Sequence, residues 1–348
     1  MKRVLVAGGG TGGHIAPALA VGRRIVQEGW AEVFYARTER PVDMAMYGPE
    51  GSRVFALRSP RIDKGARILL PFTAGAALAG AVKLVRSLGA DAVLGTGGYA
   101  SFYCVAGAWL SGVPGFVLDT NALPGRSNRW VSRFCRLAFA AFPGQERYFH
   151  CPVSTVGIPR NPRGKAAGAR ERLGIPADAR VVLFLGGSQG ASALNDLAAA
   201  RPPGIRLLLQ CGARDEARMT GLLDGREGFT VRGFVDDLSD WYSAADLAVA
   251  RAGAQTMAEL SAFELPAVFI PYPFAADDHQ TANARVAAEA GAAVLMRQDR
   301  ADSAGLWNMV EEILDDSPRL AAMVSAMGSL LPGNSAERVS AGIRGMCG

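Results

Sequence analysis

Short apolar runs and longer amphipathic stretches alternate along the chain. Val4–Ala7, Val33–Ala36, Val54–Leu57, Ala92–Leu94 and Gly115–Leu118 are apolar runs of strand length, as expected of parallel strands covered on both faces. After the first of them, Ile15, Ala18, Leu19, Ile25 and Val26 recur at helical spacing, with Pro17 near the first turn. A further helix is predicted over 126–136. A Pro-, Gly- and Arg-rich segment, 161–168, reads as a linker. Beyond it the alternation restarts with Val181–Leu185, Arg206–Gln210, Phe229–Val231, Ala248–Ala250 and Ala267–Pro271. The pattern predicts an α/β chain with a parallel sheet in each half.

Both halves open on a strand, a glycine turn and a helix. In the first the turn is Gly8-Gly9-Gly10-Thr11-Gly12-Gly13-His14, and in the second it is Gly186-Gly187-Ser188-Gln189-Gly190. Such a turn directs backbone N–H groups and the positive end of a helix dipole outward, which suits an anion. The shared opening points to two Rossmann-like domains facing each other across a cleft. Gly8, Gly10 and Gly13 satisfy G-x-G-x-x-G, but the second strand ends in Arg37 where a dinucleotide-binding domain carries an acidic residue. That disfavours NAD and leaves an NADP-dependent enzyme as the rival from another class. His14 stands at the tip of its loop, where ligands of such sheets bind. A further glycine turn, Gly95-Thr96-Gly97-Gly98-Tyr99, follows the fourth strand. Asp119-Thr120-Asn121 closes the fifth, as ligand contacts or as a capping turn. Glu259 falls about one turn inside the helix that follows Arg251.

Composition narrows the class. The 348 residues suit two domains, and nearly half of them are apolar. The cysteines 104, 135, 151, 211 and 347 show no metal or disulfide spacing, which indicates a reducing compartment. No signal peptide is visible at the N-terminus. Residues 1–150 hold 18 Lys and Arg against 9 Asp and Glu, so this half is basic within a total of +5. A basic half implies an acidic partner: an anionic membrane surface, a phosphorylated substrate or, ranked last for want of basic and aromatic interleaving, nucleic acid. The uncharged stretch 68–82 lies between Arg61, Lys64 and Arg67 on one side and Lys83 and Arg86 on the other. It is too short to span a bilayer, and it reads either as a helix lying on a membrane surface or as an ordinary sheet-covering helix.

Five motifs together resemble one family: GGTGGHIAPALA at 9–20, GGYAS at 97–101, GGSQGA at 186–191, RAGAQTMAEL at 251–260 and DDHQTANA at 277–284. In this order, and over essentially the whole chain, they resemble the MurG family within glycosyltransferase family 28. Its members transfer N-acetylglucosamine from UDP-N-acetylglucosamine to lipid I, making lipid II for peptidoglycan. The resemblance implies a GT-B fold with an N-terminal domain over 1–158, to which a C-terminal helix at about 333–348 returns. The UDP-sugar domain is implied over 159–332. It implies as partners UDP-N-acetylglucosamine, lipid I, an anionic membrane surface on the cytoplasmic side, where the protein would be peripheral, and the cell-wall synthesis machinery. Nucleic acid is not among them.

The resemblance also assigns roles. Glu259 takes the donor ribose hydroxyls, Ser188 the diphosphate, Val235 the uracil through its backbone, and His279 and Gln280 the sugar hydroxyls. Thr11, Gly12, Gly13 and Asn121 line the donor sugar, Arg160 adds a donor contact, and Arg251, Ala254, Gln255, Thr256, Met257 and Ala258 complete the nucleotide site. Gly10, Gly97, Gly98 and Tyr99 face the acceptor diphosphate. Three positions depart from the family pattern. Leu118-Asp119-Thr120-Asn121 stands for His-Glu-x-Asn, Gly157-Ile158-Pro159-Arg160-Asn161 for Gly-Asn-Pro-x-Arg, and Leu238 for a methionine. The expected reaction is an inverting single displacement by the C4 hydroxyl of the acceptor sugar. His14 is the leading base and Asp119 its competitor, with the leaving diphosphate held by the amides at 187–190, Ser188 and Arg251. No metal is required by these residues, and a divalent ion on the diphosphate stays open.

Overall fold

The structure, a computed structural model, describes residues 1–57, 70–161, 164–186 and 191–347. The chain divides into two units, Met1–Asn161 with Pro332–Gly348, and Pro162–Leu331.

In the first unit, β1 (Lys2–Gly8) leads into α1 (Gly12–Gln27), and β2 (Ala31–Arg37) into α2 (Pro41–Tyr47) and the short β3 (Val54–Ala56). Then follow α3 (Leu70–Leu88), β4 (Ala92–Gly97), α4 (Gly98–Leu110), β5 (Gly115–Asp119), α5 (Arg126–Val131), β6 (Leu137–Ala140) and β7 (Val153–Thr155). The seven strands form one parallel sheet in the order β3-β2-β1-β4-β5-β6-β7. Its central strands are apolar on both faces because helices cover both. Val4 and Val6 pack toward α1, whereas Leu5 and Ala7 pack toward α3 and α4. The helix predicted over 126–136 is shorter, ending at Val131 in a 3-10 turn, Ser132–Phe134. There the Ser132 hydroxyl turns back onto the Arg129 carbonyl, the acceptor a continuing helix would use.

The second unit repeats the plan. It contains α6 (Ala169–Arg172), β8 (Arg180–Leu185), α7 (Ser192–Ala199), β9 (Ile205–Gln210), α8 (Glu216–Leu223), β10 (Phe229–Arg232), α9 (Ser239–Ala244) and β11 (Leu247–Ala250). Next come α10 (Ala254–Ala262), β12 (Ala267–Phe269), α11 (His279–Glu289), β13 (Ala293–Leu295), α12 (Ser303–Asp315) and α13 (Ser317–Ser329). The sheet order is β10-β9-β8-β11-β12-β13, again all parallel. Phe184 stacks on Trp307 at 5.5 Å, and each such buried ring contributes about 1.5–3 kcal/mol. The final helix, α14 (Ser335–Met346), rejoins the first unit against α1. Val339 and Ile343 enter that core, and Ser340 links the Trp30 indole N–H (3.0 Å) to the Glu28 carboxylate.

Candidate functional site

In the first unit, β1 and β4 are neighbours from which the sheet extends in opposite directions. Their carboxyl ends therefore form the switch point at which open α/β sheets bind ligands. Two glycine turns meet there, the Gly9 N–H facing the Gly97 carbonyl at 3.4 Å. α1 and α4 start from these turns, so two sets of helix-end N–H groups and two positive dipole ends share one place. Glycine is required at Gly97 and Gly98, where φ is +118° and +80°. A Cβ on Gly97 would run into the His14 ring, and one on Gly98 into the Gly9 carbonyl.

The half-buried His14 has Nδ1 3.0 Å from the Gly9 carbonyl oxygen. A carbonyl only accepts, so Nδ1 carries a proton, and the neutral form of the ring then has its lone pair on Nε2, the state a general base needs. Thr96 Oγ1 donates to the His14 carbonyl at 2.8 Å and fixes the backbone beneath the ring. Thr11 is exposed, and its carbonyl accepts from the His14 and Ile15 amides. Gly12 and Gly13 open α1, and the exposed Tyr99 stands in the first turn of α4.

Two of the expected groups in this unit have partners within the chain. The Gly10 amide donates to Asp43 Oδ1 at 2.8 Å. Asp119 is only 3 % exposed. Its Oδ1 accepts from the Asn121 amide, and its Oδ2 from the Gly125 amide and Asn128 Nδ2, all within 3.0 Å. Those bonds show Asp119 holding its loop. Asn121 lies on that loop, where the buried Gln145 grips the carbonyls of Asn121 and Ala122. Arg160 is half-buried and belongs to the first unit. Sequence reasoning missed Thr38, Asp43, Tyr47 and Gln145. Asp43 looks there like an ordinary acidic residue in a first helical turn, and only a fold brings it under a loop 33 residues away.

The residues singled out in the second unit lie along the carboxyl edge of its sheet. Ala254, Gln255 and Thr256 open α10, so their amides have no partner within the helix. The side chains of Met257 and Ala258 are fully buried, and the Met257 amide bonds the Gly253 carbonyl. Gln255 Nε2 is buried with no partner among the described residues, which costs free energy unless a ligand acceptor satisfies it. One turn along, Glu259 Oε2 accepts from the Tyr242 hydroxyl at 2.6 Å, and Tyr242 stacks on Phe263 at 5.0 Å.

Arg251 donates to the carbonyls of Ile270 and Pro271 and to Gln298, and it lies over the Tyr272 ring. Among the described residues it pairs with no carboxylate, and burial pushes its guanidinium down to about 10. It is a cation at neutral pH, with its charge not neutralised. The Tyr272 amide donates to Gln280 Oε1, while His279 Nδ1 bonds the Ala276 carbonyl. Asp277 and Asp278 both have positive φ, 53° and 54°, a strained entry to α11 of the kind that gathers at ligand sites. The Val235 amide is taken by Gln210 Oε1 at 3.2 Å, which leaves its carbonyl as the group able to meet a base. Ser188 and the rest of 187–190 lie outside the described residues.

Two successive α/β units, each built on an all-parallel sheet, are the architecture of the GT-B class of glycosyltransferases. Residues 4–140 match the glycosyltransferase family 28 N-terminal domain, and residues 181–338 the C-terminal domain of that family. The chain belongs to glycosyltransferase family 28. Among its relatives is the UDP-N-acetylglucosamine--N-acetylmuramyl-(pentapeptide) pyrophosphoryl-undecaprenol N-acetylglucosamine transferase of Methylococcus capsulatus, 36% identical over 97% of each chain. The enzyme of that name from Solidesulfovibrio magneticus is 36% identical over 95% of each chain. The crystal structure of Acinetobacter baumannii MurG superposes with a TM-score of 0.81 at 29% identity, covering 99% of this chain and all of that one.

Proposed function

We propose that this chain transfers N-acetylglucosamine from UDP-N-acetylglucosamine to the C4 hydroxyl of lipid I, with inversion, to give lipid II. The observation that carries the reading is end-to-end similarity to relatives named for that transfer. His14 Nε2 takes the C4 hydroxyl proton as that oxygen attacks the anomeric carbon and the bond to UDP breaks. The amides opening α10, Gln255 and the un-neutralised charge of Arg251 face the departing diphosphate. Glu259 accepts the vicinal ribose hydroxyls, oriented by Tyr242. The amides opening α1 and α4, including those of Gly98 and Tyr99, take the acceptor diphosphate.

The acceptor is a lipid, and the first unit carries a surface suited to one. Phe72, Trp109, Leu110 and Trp130 are exposed, and a groove of about 750 Å³ runs between α3 and Leu110 with Lys83 and Arg86 on its rim. Trp109 and Trp130 both pack on Phe134, and Arg133 lies over Trp130. Exposed rings among cations suit peripheral attachment to an anionic leaflet. Among the described residues no helix is long and apolar enough to cross a membrane.

Transfer of radiolabelled N-acetylglucosamine to a short-chain lipid I analogue tests the reading. Turnover is expected with or without a chelator. Replacing His14 by Ala should lower kcat by about 10²–10⁴-fold while leaving donor affinity unchanged. No transfer to the analogue by the intact chain would overturn the assignment, and undiminished kcat in His14→Ala would remove His14 as the base.

A further inference from the structure

The peptide unit joining Gly9 to Gly10 is bonded at both ends by side chains. Its carbonyl accepts the His14 Nδ1 proton at 3.0 Å, and its N–H donates to Asp43 Oδ1 at 2.8 Å. Asp43 is wholly buried, and its second oxygen is fixed by the Thr38 amide at 2.9 Å and the Thr38 hydroxyl at 2.5 Å. Among the described residues, the other ionisable side chains bonded to this turn act on different carbonyls, Tyr47 on that of Gly8 and Arg40 on that of Gly10. Gly98 packs directly on the Gly9 carbonyl, where a Cβ would overlap it, so the plane cannot tilt toward α4.

We infer that Asp43 is a positioning residue for the transfer, acting on His14 through the Gly9–Gly10 peptide. A carboxylate bonded to the N–H of an amide draws electron density onto its carbonyl oxygen and strengthens it as an acceptor. The Gly9 carbonyl thereby does for His14 what a directly bonded carboxylate does in other acid–base pairs. It holds the imidazole in the Nδ1–H tautomer and stabilises the imidazolium formed when Nε2 takes the hydroxyl proton. Thr38 keeps the carboxylate in line. The arrangement also explains the glycines: Gly10 needs positive φ (+89°) to turn its amide toward Asp43, and Gly9 has no room for a Cβ beside Asp43 Oδ2.

The inference rests on His14 being the base, and a double-mutant cycle separates the two ideas. In the transfer assay Asp43→Asn should lower kcat about tenfold or more, with the KM for UDP-N-acetylglucosamine unchanged and an unaltered circular dichroism spectrum. In a His14→Ala background the same change should cost nothing further. Glutamate at 43 should restore part of the rate, since it keeps the charge. Nitrogen-15 NMR of the imidazole should show the Nδ1–H tautomer in the parent and a mixture in Asp43→Asn. If Asp43→Asn proves unfolded, Thr38→Val keeps the carboxylate and should still lower kcat severalfold, again only when His14 is present. Equal losses from Asp43→Asn with and without His14, or an unchanged kcat in a folded Asp43→Asn, would overturn the inference. An unchanged kcat in His14→Ala alone would instead overturn the base assignment.

Discussion

At the residue scale, the chemistry depends less on which polar groups are present than on which already have partners. Asp119 and Glu259 are both carboxylates at strand-to-helix junctions. The first accepts three hydrogen bonds from its own loop, and the second accepts from a phenol that is itself stacked on Phe263. Glu259→Ala should therefore weaken UDP-N-acetylglucosamine about ten- to a hundredfold, the worth of hydrogen bonds to a charged group, without loss of fold. Tyr242→Phe should cost less, because it removes one hydrogen bond to the carboxylate and leaves the carboxylate in place. Isothermal titration of both variants checks the order, and a Glu259→Ala variant with parental affinity would move the nucleotide site elsewhere. The sequence singled out His14 by its place at the tip of a glycine turn, and Glu259 by its place in a motif that carries the family resemblance. The engagement of Gly10, Asp119 and Val235 was not legible there, because each partner is a side chain or amide that the turn itself does not specify.

At the scale of elements, the strand-turn-helix units carry both the fold and the site. A parallel strand buried on both faces must be continuously apolar, and its connection must turn sharply onto a covering helix. That accounts for runs such as Val4–Ala7 and Val181–Leu185 and for the glycines behind them. α3 is the element whose reading stayed double in the sequence, membrane-lying or sheet-covering, and the structure shows one face on the sheet and another exposed. Ala77, Ala81 and Val85 face the core, while Phe72, Lys83 and Arg86 are exposed. Reversing Lys83 and Arg86 to Glu should reduce sedimentation with vesicles containing anionic phospholipid, each basic residue contributing about 1 kcal/mol at such a surface. Turnover of a short-chain soluble acceptor should not change. Vesicle binding equal to the parent would exclude this face as the attachment surface.

At the scale of the whole molecule, the proposed base belongs to one unit and the proposed nucleotide-binding carboxylate to the other, so on that proposal each half alone is expected to be inactive in transfer. The first unit is itself discontinuous in sequence, completed by α14 with Val339 and Ile343 in its core. Saturating UDP should raise stability by RT ln(1 + [L]/Kd), about 2.7 kcal/mol at a hundred times Kd. In hydrogen exchange the added protection should appear at the start of α10 and around 233–235 and 272–280, with residues 8–14 unchanged. Protection spread equally over the β1–α1 turn would contradict assignment of the nucleotide to the second unit.

The sequence by itself determined the alternation of elements, the parallel α/β class, the place of each glycine turn and the identity of its chemical residues. All of these follow from local rules: periodicity of burial, the conformational freedom of glycine and the direction of helix dipoles. Tertiary structure alone decided which of those groups remain available. Asp43 reaches the Gly9–Gly10 peptide and Tyr242 reaches Glu259 because sheet order and helix packing bring them there. A hydrogen bond between residues far apart in the chain depends on that arrangement, which no short stretch of sequence encodes.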